Sequence, residues 1–284
     1  LPCSDPELLH RFQQSGNTVF YQITGILVPV PLEDEYKLLI LDLRALQNPL
    51  DLIEATEGEL QKAKWWIAEH EGQSMLPAII KELSSDLNII NQNDPVFDEA
   101  LEVQVMQAAS HGMVNGESAR IHVAIFGPPG TGKGVQAKVA EAIQPVCKRV
   151  EAQAITEDGL YGNSGSSFGN RVVRAGLIPQ SHQGVFLIED FHQANSLKNQ
   201  RLTVSFTYTM ETGRCEAANA SRASYDAQVA FHVDANRLSD VDGRRSKKGK
   251  LTGLALVTAD TGVPKNLLTR FDYIVEFDRN PRRQ

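Results

Sequence analysis

The apolar positions along the chain fall into two regimes. In roughly the first fifty residues, "NTVFYQITGILVPV" and "EYKLLILDLRAL" are rich in β-branched and aromatic residues and are broken by Gly25, Pro29 and Pro31, which predicts a β-rich opening. "DLIEATEGELQKAKWWIAEHEG" follows, where Thr56 and Glu59 form a capping box before a helix ending near Gly72. Trp65 and Trp66 in that helix read as packing residues between domains. From Ser74 onward, helical periods alternate with short apolar runs. "DPVFDEALEVQVMQAASHG" has Asp94 as N-cap and Pro95 at the first helical position. Its apolar residues Phe97, Leu101, Val105 and Ala108 recur at helical spacing, and Gly112 closes it. "RIHVAIFG" reads as a buried strand and "GVQAKVAEAI" as the helix after it. "GVFLIED", "QVAFHVDA", "LALVTA" and "YIVEF" read as further strands. The alternation predicts an α/β domain with a parallel sheet between helices. No internal repeat is visible, and the one charge run, "GRRSKKGK" at 243–250, reads as a loop.

Composition narrows the function classes. The 284 residues leave room for one large domain and a smaller one. The net charge of −7 gives no global attraction for nucleic acid, so a DNA contact needs a local basic patch. Cys3, Cys147 and Cys215 lie far apart without C-x-x-C spacing. That argues against a structural zinc site or a disulfide framework and suits a reducing, intracellular compartment. No apolar run approaches the roughly 20 residues that span a bilayer, so no membrane partner is expected. The chain begins at Leu1 without Met or a signal-peptide core, as a fragment would.

The chemistry concentrates in "IFGPPGTGKGVQ", Ile125 to Gln136. A strand before and a helix after make this a phosphate-binding loop. Gly127, Gly130 and Gly132 let backbone N–H groups curl around phosphates, Pro128 and Pro129 stiffen the turn, and Thr131 completes it. Lys133 is placed to reach the β- and γ-phosphates at a helix N-terminus, with Gly134 and Val135 opening that helix. The pattern asks for Ser or Thr where Gly134 stands, so a hydroxyl that normally meets Mg²⁺ is missing, and a water can fill the gap. "GVFLIED" ends in Glu189 and Asp190, the expected holders of Mg²⁺ and of the attacking water. The usual order is Asp-Glu. Reversing it moves the first carboxylate outward by roughly 1.5 Å, and a displacement near 1 Å can cost about a hundredfold in rate. The expectation is ATP binding with slow turnover.

Beyond these residues, the chain resembles the minichromosome maintenance (MCM) replicative helicases within the AAA+ ATPases. "SGNTVFYQITGILVPVP" resembles the last strands of the family's OB domain, and "LPAIIKELSSDL" resembles the helix opening its ATPase domain. "RAGLIPQSHQGVFLIEDFHQA", "YTMETG", "DANRL" and "LLTRFDYIVEF" match further family blocks in the same order. The resemblance implies an AAA+ P-loop NTPase core at 73–284 lacking its C-terminal lid. A helical linker at 51–72 and the end of an OB-like domain at 1–50 would precede it. Asn236 matches sensor 1, whose amide orients the attacking water. Arg270 matches the arginine finger, which acts on nucleotide held by a neighbouring subunit. That implies a hexameric ring of self or paralogous subunits, in the cytoplasm of a prokaryote or the nucleus of a eukaryote. DNA would thread the ring through phosphate contacts, single-stranded or forked. Asn219 falls at the presensor-hairpin tip where the family has Lys, and Arg222 nearby either replaces it as a phosphate contact or is simply solvated. The helix-two insert, confined to "FGNRVV", looks shortened or missing. The implied function is an ATP-driven helicase or translocase subunit in DNA replication. A weakly hydrolysing structural or regulatory subunit of such a ring, or another AAA+ remodeler, are the alternatives.

Overall fold

The structure is a computed structural model, which describes residues 20–29, 36–46, 55–72, 74–86, 95–110, 113–114, 117–167, 170–194, 200–216, 224–237 and 254–277. The β-rich opening is an antiparallel pair, β1 (Phe20–Pro29) with β2 (Tyr36–Leu46), whose register shifts between Thr24 and Gly25. Helix α1 (Glu57–Glu69) starts on the expected capping box. The Glu59 N–H donates to Thr56 Oγ1 at 3.3 Å, and the Thr56 N–H donates back to the Glu59 carboxylate at 2.7 Å. The tryptophans do not behave as packing residues here. Trp65 is 63% exposed and Trp66 stacks on His70 with ring centroids 4.2 Å apart, so α1 contributes no buried residue.

Helix α2 (Met75–Asp86) and α3 (Pro95–Ala109) come next. Pro95 opens α3 as predicted, whereas Asp94 and Gly112 lie outside the described residues. Short β3 (Met113–Val114) and β4 (Glu117–Ser118) pair with each other. The remaining strands and helices run in chain order as β5 (Val123–Phe126), α4 (Lys133–Ile143), β6 (Cys147–Glu151), α5 (Glu157–Tyr161), β7 (Gly162–Ser167), β8 (Asn170–Ala175), α6 (Leu177–Gln180), β9 (Val185–Glu189), α7 (Gln200–Thr212), β10 (Arg214–Glu216), β11 (Ser224–Asp226), β12 (Ala230–Ala235), α8 (Leu254–Thr261), α9 (Lys265–Leu268) and β13 (Tyr273–Glu276). "LALVTA", read as a strand, is therefore α8. An apolar run of that length carries no period that separates a buried strand from a buried helix. At the expected helix-two insert, β7 and β8 form an antiparallel hairpin with six paired positions, so a hairpin does stand there.

Five strands make one parallel sheet in the order β13-β5-β12-β9-β6. Both faces are covered, and alternation along β5 shows how. Val123 and Ile125 pack with Phe97, Leu101 and Val139 from α3 and α4. Ala124 and Phe126 face the larger cluster, with Phe186, Phe206 and Phe231. Buried Gln104 donates to Gln136 at 2.6 Å and ties α3 to α4, fixing the helix that carries the Gly-rich loop. Because all five strands are parallel, their C-terminal ends share one edge. The chain reverses direction across the sheet around β5, and such switch points open the crevice where α/β sheets take ligands.

Candidate functional site

Four adjacent strands, β5, β12, β9 and β6, surround a cleft of about 600 Å³ at that edge, lined among others by Gly130, Lys133, Arg149, Glu189, Asp234 and Asn236. One wall is the Gly-rich loop after β5. The Gly127 N–H donates to the Ala235 carbonyl at 3.2 Å, and the Phe277 N–H donates to the Phe126 carbonyl at 2.7 Å. The backbone of Phe277 passes so close that a Cβ on Gly127 would lie 2.6 Å from its carbonyl oxygen. Gly130 (φ 79°) and Gly132 (φ 102°) adopt left-handed backbone that side chains resist. Thr131 Oγ1 donates to the Pro128 carbonyl at 2.8 Å. Lys133, the first residue of α4, is buried, and its ammonium donates to the carbonyls of Gly127 at 2.8 Å and Pro128 at 2.7 Å. Pro129, Gly134 and Val135 line the same cleft, with Lys138 one turn further along α4.

The opposite wall is acidic and comes from β9 and β12, with β6 beside them. Asp190, just past β9, sits in left-handed backbone (φ 51°) and accepts from the Asn236 amide at 3.0 Å. The Asp190 N–H donates to Asp234 Oδ1 at 2.9 Å, and the Asn236 N–H donates to His192 Nδ1 at 3.1 Å. Asp234 is buried in β12. Loss of water pushes its carboxyl up to about 6, the charges of Glu189 and Asp190 add to the rise, and the Asp190 N–H and Lys133 pull the other way.

Glu189 faces a different partner. In register, Glu151 lies opposite Glu189 and Arg149 lies opposite Leu187, which makes Arg149 the diagonal neighbour of Glu189 on the same face. Arg149 closes on it bidentately: Nε and Nη2 each donate to a Glu189 oxygen at 2.8 Å, and Nη1 donates to Glu141 at 3.1 Å. These hydrogen bonds, Glu189's first, hold the guanidinium above its ordinary pKa.

The structure thus brings Lys133, Glu189, Asp190 and Asn236 to one cleft and leaves Arg270 out of its lining. Arg270 pairs with Glu211 on α7. Asp272, its neighbour, instead accepts from the His122 N–H at 2.8 Å and anchors β13 beside β5. Asn219 and Arg222 lie outside the described residues, as does the basic run 243–250. The strands flanking the first two, β10 and β11, pair in the register Arg214↔Asp226 to Glu216↔Ser224. Sequence reasoning missed Arg149, Asp234 and His192. Asp234 carried a readable signal, a lone carboxylate inside the apolar run "VAFHVDA". Arg149 carried none, because only strand pairing brings it to Glu189.

The residues present do not assemble a donor set for a divalent cation. Each Glu189 oxygen already accepts from Arg149, residue 134 has no side-chain oxygen, and one Asp190 oxygen accepts from Asn236. Among the described residues, no three His, Cys, Asp or Glu side chains converge as a metal site. No described helix is long and apolar enough to cross a membrane.

Comparison with known proteins gives one family. The model of the MCM P-loop domain matches residues 73–283. No curated protein matches the chain.

Proposed function

The chain belongs to the MCM family, which carries a P-loop ATPase fold and implies nucleotide binding, and on that premise we propose that it is an ATP-binding subunit of an MCM-type ring that acts on DNA in replication. Residues 73–284 would be the AAA+ core, preceded by an OB-like end at 1–50 and a linker at 51–72. ATP would sit in the cleft, its phosphates against the amides of Gly127 to Val135 and the Lys133 ammonium. The Asp190–Asn236 pair would orient the attacking water. Arg270 would serve the nucleotide of a neighbouring copy, exchanging Glu211 for a phosphate, and the ring would be hexameric. Its exposed pairing with Glu211 is weak enough for that exchange. DNA would meet the β7–β8 hairpin and the segment between β10 and β11 that holds Asn219 and Arg222, mainly through phosphates.

The observation that carries this reading is the convergence of Lys133 and the Asp190–Asn236 hydrogen bond on one cleft at adjacent parallel strand ends. A second reading, a subunit that holds nucleotide and hydrolyses it slowly, is favoured by the Arg149 grip on Glu189 and by Gly134. ATP hydrolysis by the assembled protein, with and without single-stranded DNA, separates the two. DNA-stimulated turnover that disappears in Arg270→Ala supports a motor. Tight nucleotide binding without turnover under any DNA condition supports the holding subunit. Absence of nucleotide binding rejects both.

A further inference from the structure

Arg149 stands in the cleft for a reason the Gly-rich loop does not explain. It belongs to the edge strand β6, it lines the same cavity as Lys133, and its side chain is 34% exposed. Three of its five N–H groups are committed, two to Glu189 and one to Glu141, which leaves two for a ligand. A guanidinium gripped through one edge by a carboxylate is oriented in advance, and guanidinium geometry suits phosphate oxygens. Glu189 is then engaged twice over, as the acceptor for Arg149 and as the in-register neighbour of Glu151, whose like charge Arg149 offsets. A divalent ion would have to share Glu189 with a bidentate guanidinium whose positive charge opposes it, and residue 134 offers no hydroxyl to hold that ion.

We propose that Arg149 is a second phosphate-binding cation of this cleft, facing Lys133, and Glu189 its positioning residue, so that the chain binds a nucleoside triphosphate without a divalent metal. The proposal rests on the nucleotide reading above and goes beyond it by assigning Glu189 to a guanidinium instead of a metal. Lys133 and the loop amides hold one side of the polyphosphate, and Arg149 meets it from the facing strand, 16 positions further along the chain. Positive charge from a fixed side chain takes the place of positive charge from an ion.

The test is a fluorescence titration of the whole chain with a fluorescently labelled ATP, once in excess EDTA and once in excess Mg²⁺. For the unmodified protein, the dissociation constants in the two conditions should agree within about threefold, under ~1 kcal/mol. Arg149→Ala should weaken binding in EDTA by about tenfold or more, the loss expected of a charge-assisted contact. Glu189→Gln has one acceptor oxygen for two donors. It should weaken binding severalfold and equally in both conditions, because the loosened group is the guanidinium. Should Arg149→Ala fail to fold, Glu189→Gln decides alone, since it keeps size and polarity. Binding that requires Mg²⁺, with Glu189→Gln removing only the metal-dependent part and Arg149→Ala neutral, would make Glu189 a metal ligand and Arg149 a structural staple. That overturns the proposal and leaves the nucleotide reading intact. No binding in either condition overturns both.

Discussion

The two walls of the cleft are built on opposite principles. The loop wall, Gly127 to Val135, is made by consecutive residues. Its glycines, its lysine and the start of α4 follow one another in the chain, and its geometry follows from local backbone chemistry. The acidic wall is assembled from three strands. Glu189 answers to Arg149, 40 positions away, and Asp190 to Asn236, 46 positions away. A wall made by local sequence can be inherited intact by a divergent chain. A wall made by long-range pairing depends on single residues of other strands, and Arg149 on β6 is such a residue for Glu189.

Acid should undermine both walls at once, and this is the largest expected effect. His122 precedes β5 and His232 lies within β12, the strands beneath the two walls, and burial pushes each ring from 6.5 down to about 4. His122 Nδ1 accepts from the Phe231 N–H at 3.1 Å, which requires the neutral ring. The unfolded chain therefore takes up these protons first. The stabilising contribution is complete above about 6.5 and is lost as the pH falls toward about 4. The loss should be on the order of 3 kcal/mol per ring, offset in part by Asp234, whose raised carboxyl is protonated first in the folded chain, and the net is read as a falling urea midpoint. A midpoint flat across that window would contradict it.

Lys133→Ala strikes the loop wall alone. Its ammonium is the only charged group within that loop, so nucleotide affinity should fall about a hundredfold while the fold persists. A titration showing less than about a threefold change would place the phosphates elsewhere. Asn236→Ala strikes the acidic wall alone. It removes the 3.0 Å hydrogen bond to Asp190 and should lower hydrolysis about tenfold with affinity nearly unchanged. Equal losses in affinity and turnover would mean that the two walls are not separable. The smallest effect belongs to Gly134→Ala. A Cβ there meets nothing within 4 Å and the position is helical, so the variant should gain roughly 0.5–1 kcal/mol of stability without losing nucleotide. A destabilised or non-binding variant would show that ligand phosphates press on that position.

What the sequence made legible follows the same division. The capping box at Thr56, the β5–loop–α4 unit and the parallel sheet were readable because hydrophobic period and turn chemistry act over a few residues. The placement of Asn236 just past β12 was readable through the family resemblance. "LALVTA" was not, since a six-residue run with five apolar positions fits a buried helix as well as a buried strand. The exposure of Trp65 was not, since large aromatic side chains are expected to be covered. Arg149 was not, because "CKRVE" has no motif and only the pairing of β6 with β9 puts it beside Glu189.

On the proposed function, a triphosphate lies between two copies of the chain. The most direct test is a structure of the assembled ring with a non-hydrolysable ATP analogue. Phosphates should lie against the 127–135 backbone and Lys133, with Arg270 of the adjoining copy released from Glu211 and touching the terminal phosphate. An analogue bound away from Lys133, or Arg270 still paired with Glu211 at every loaded junction, would contradict that reading.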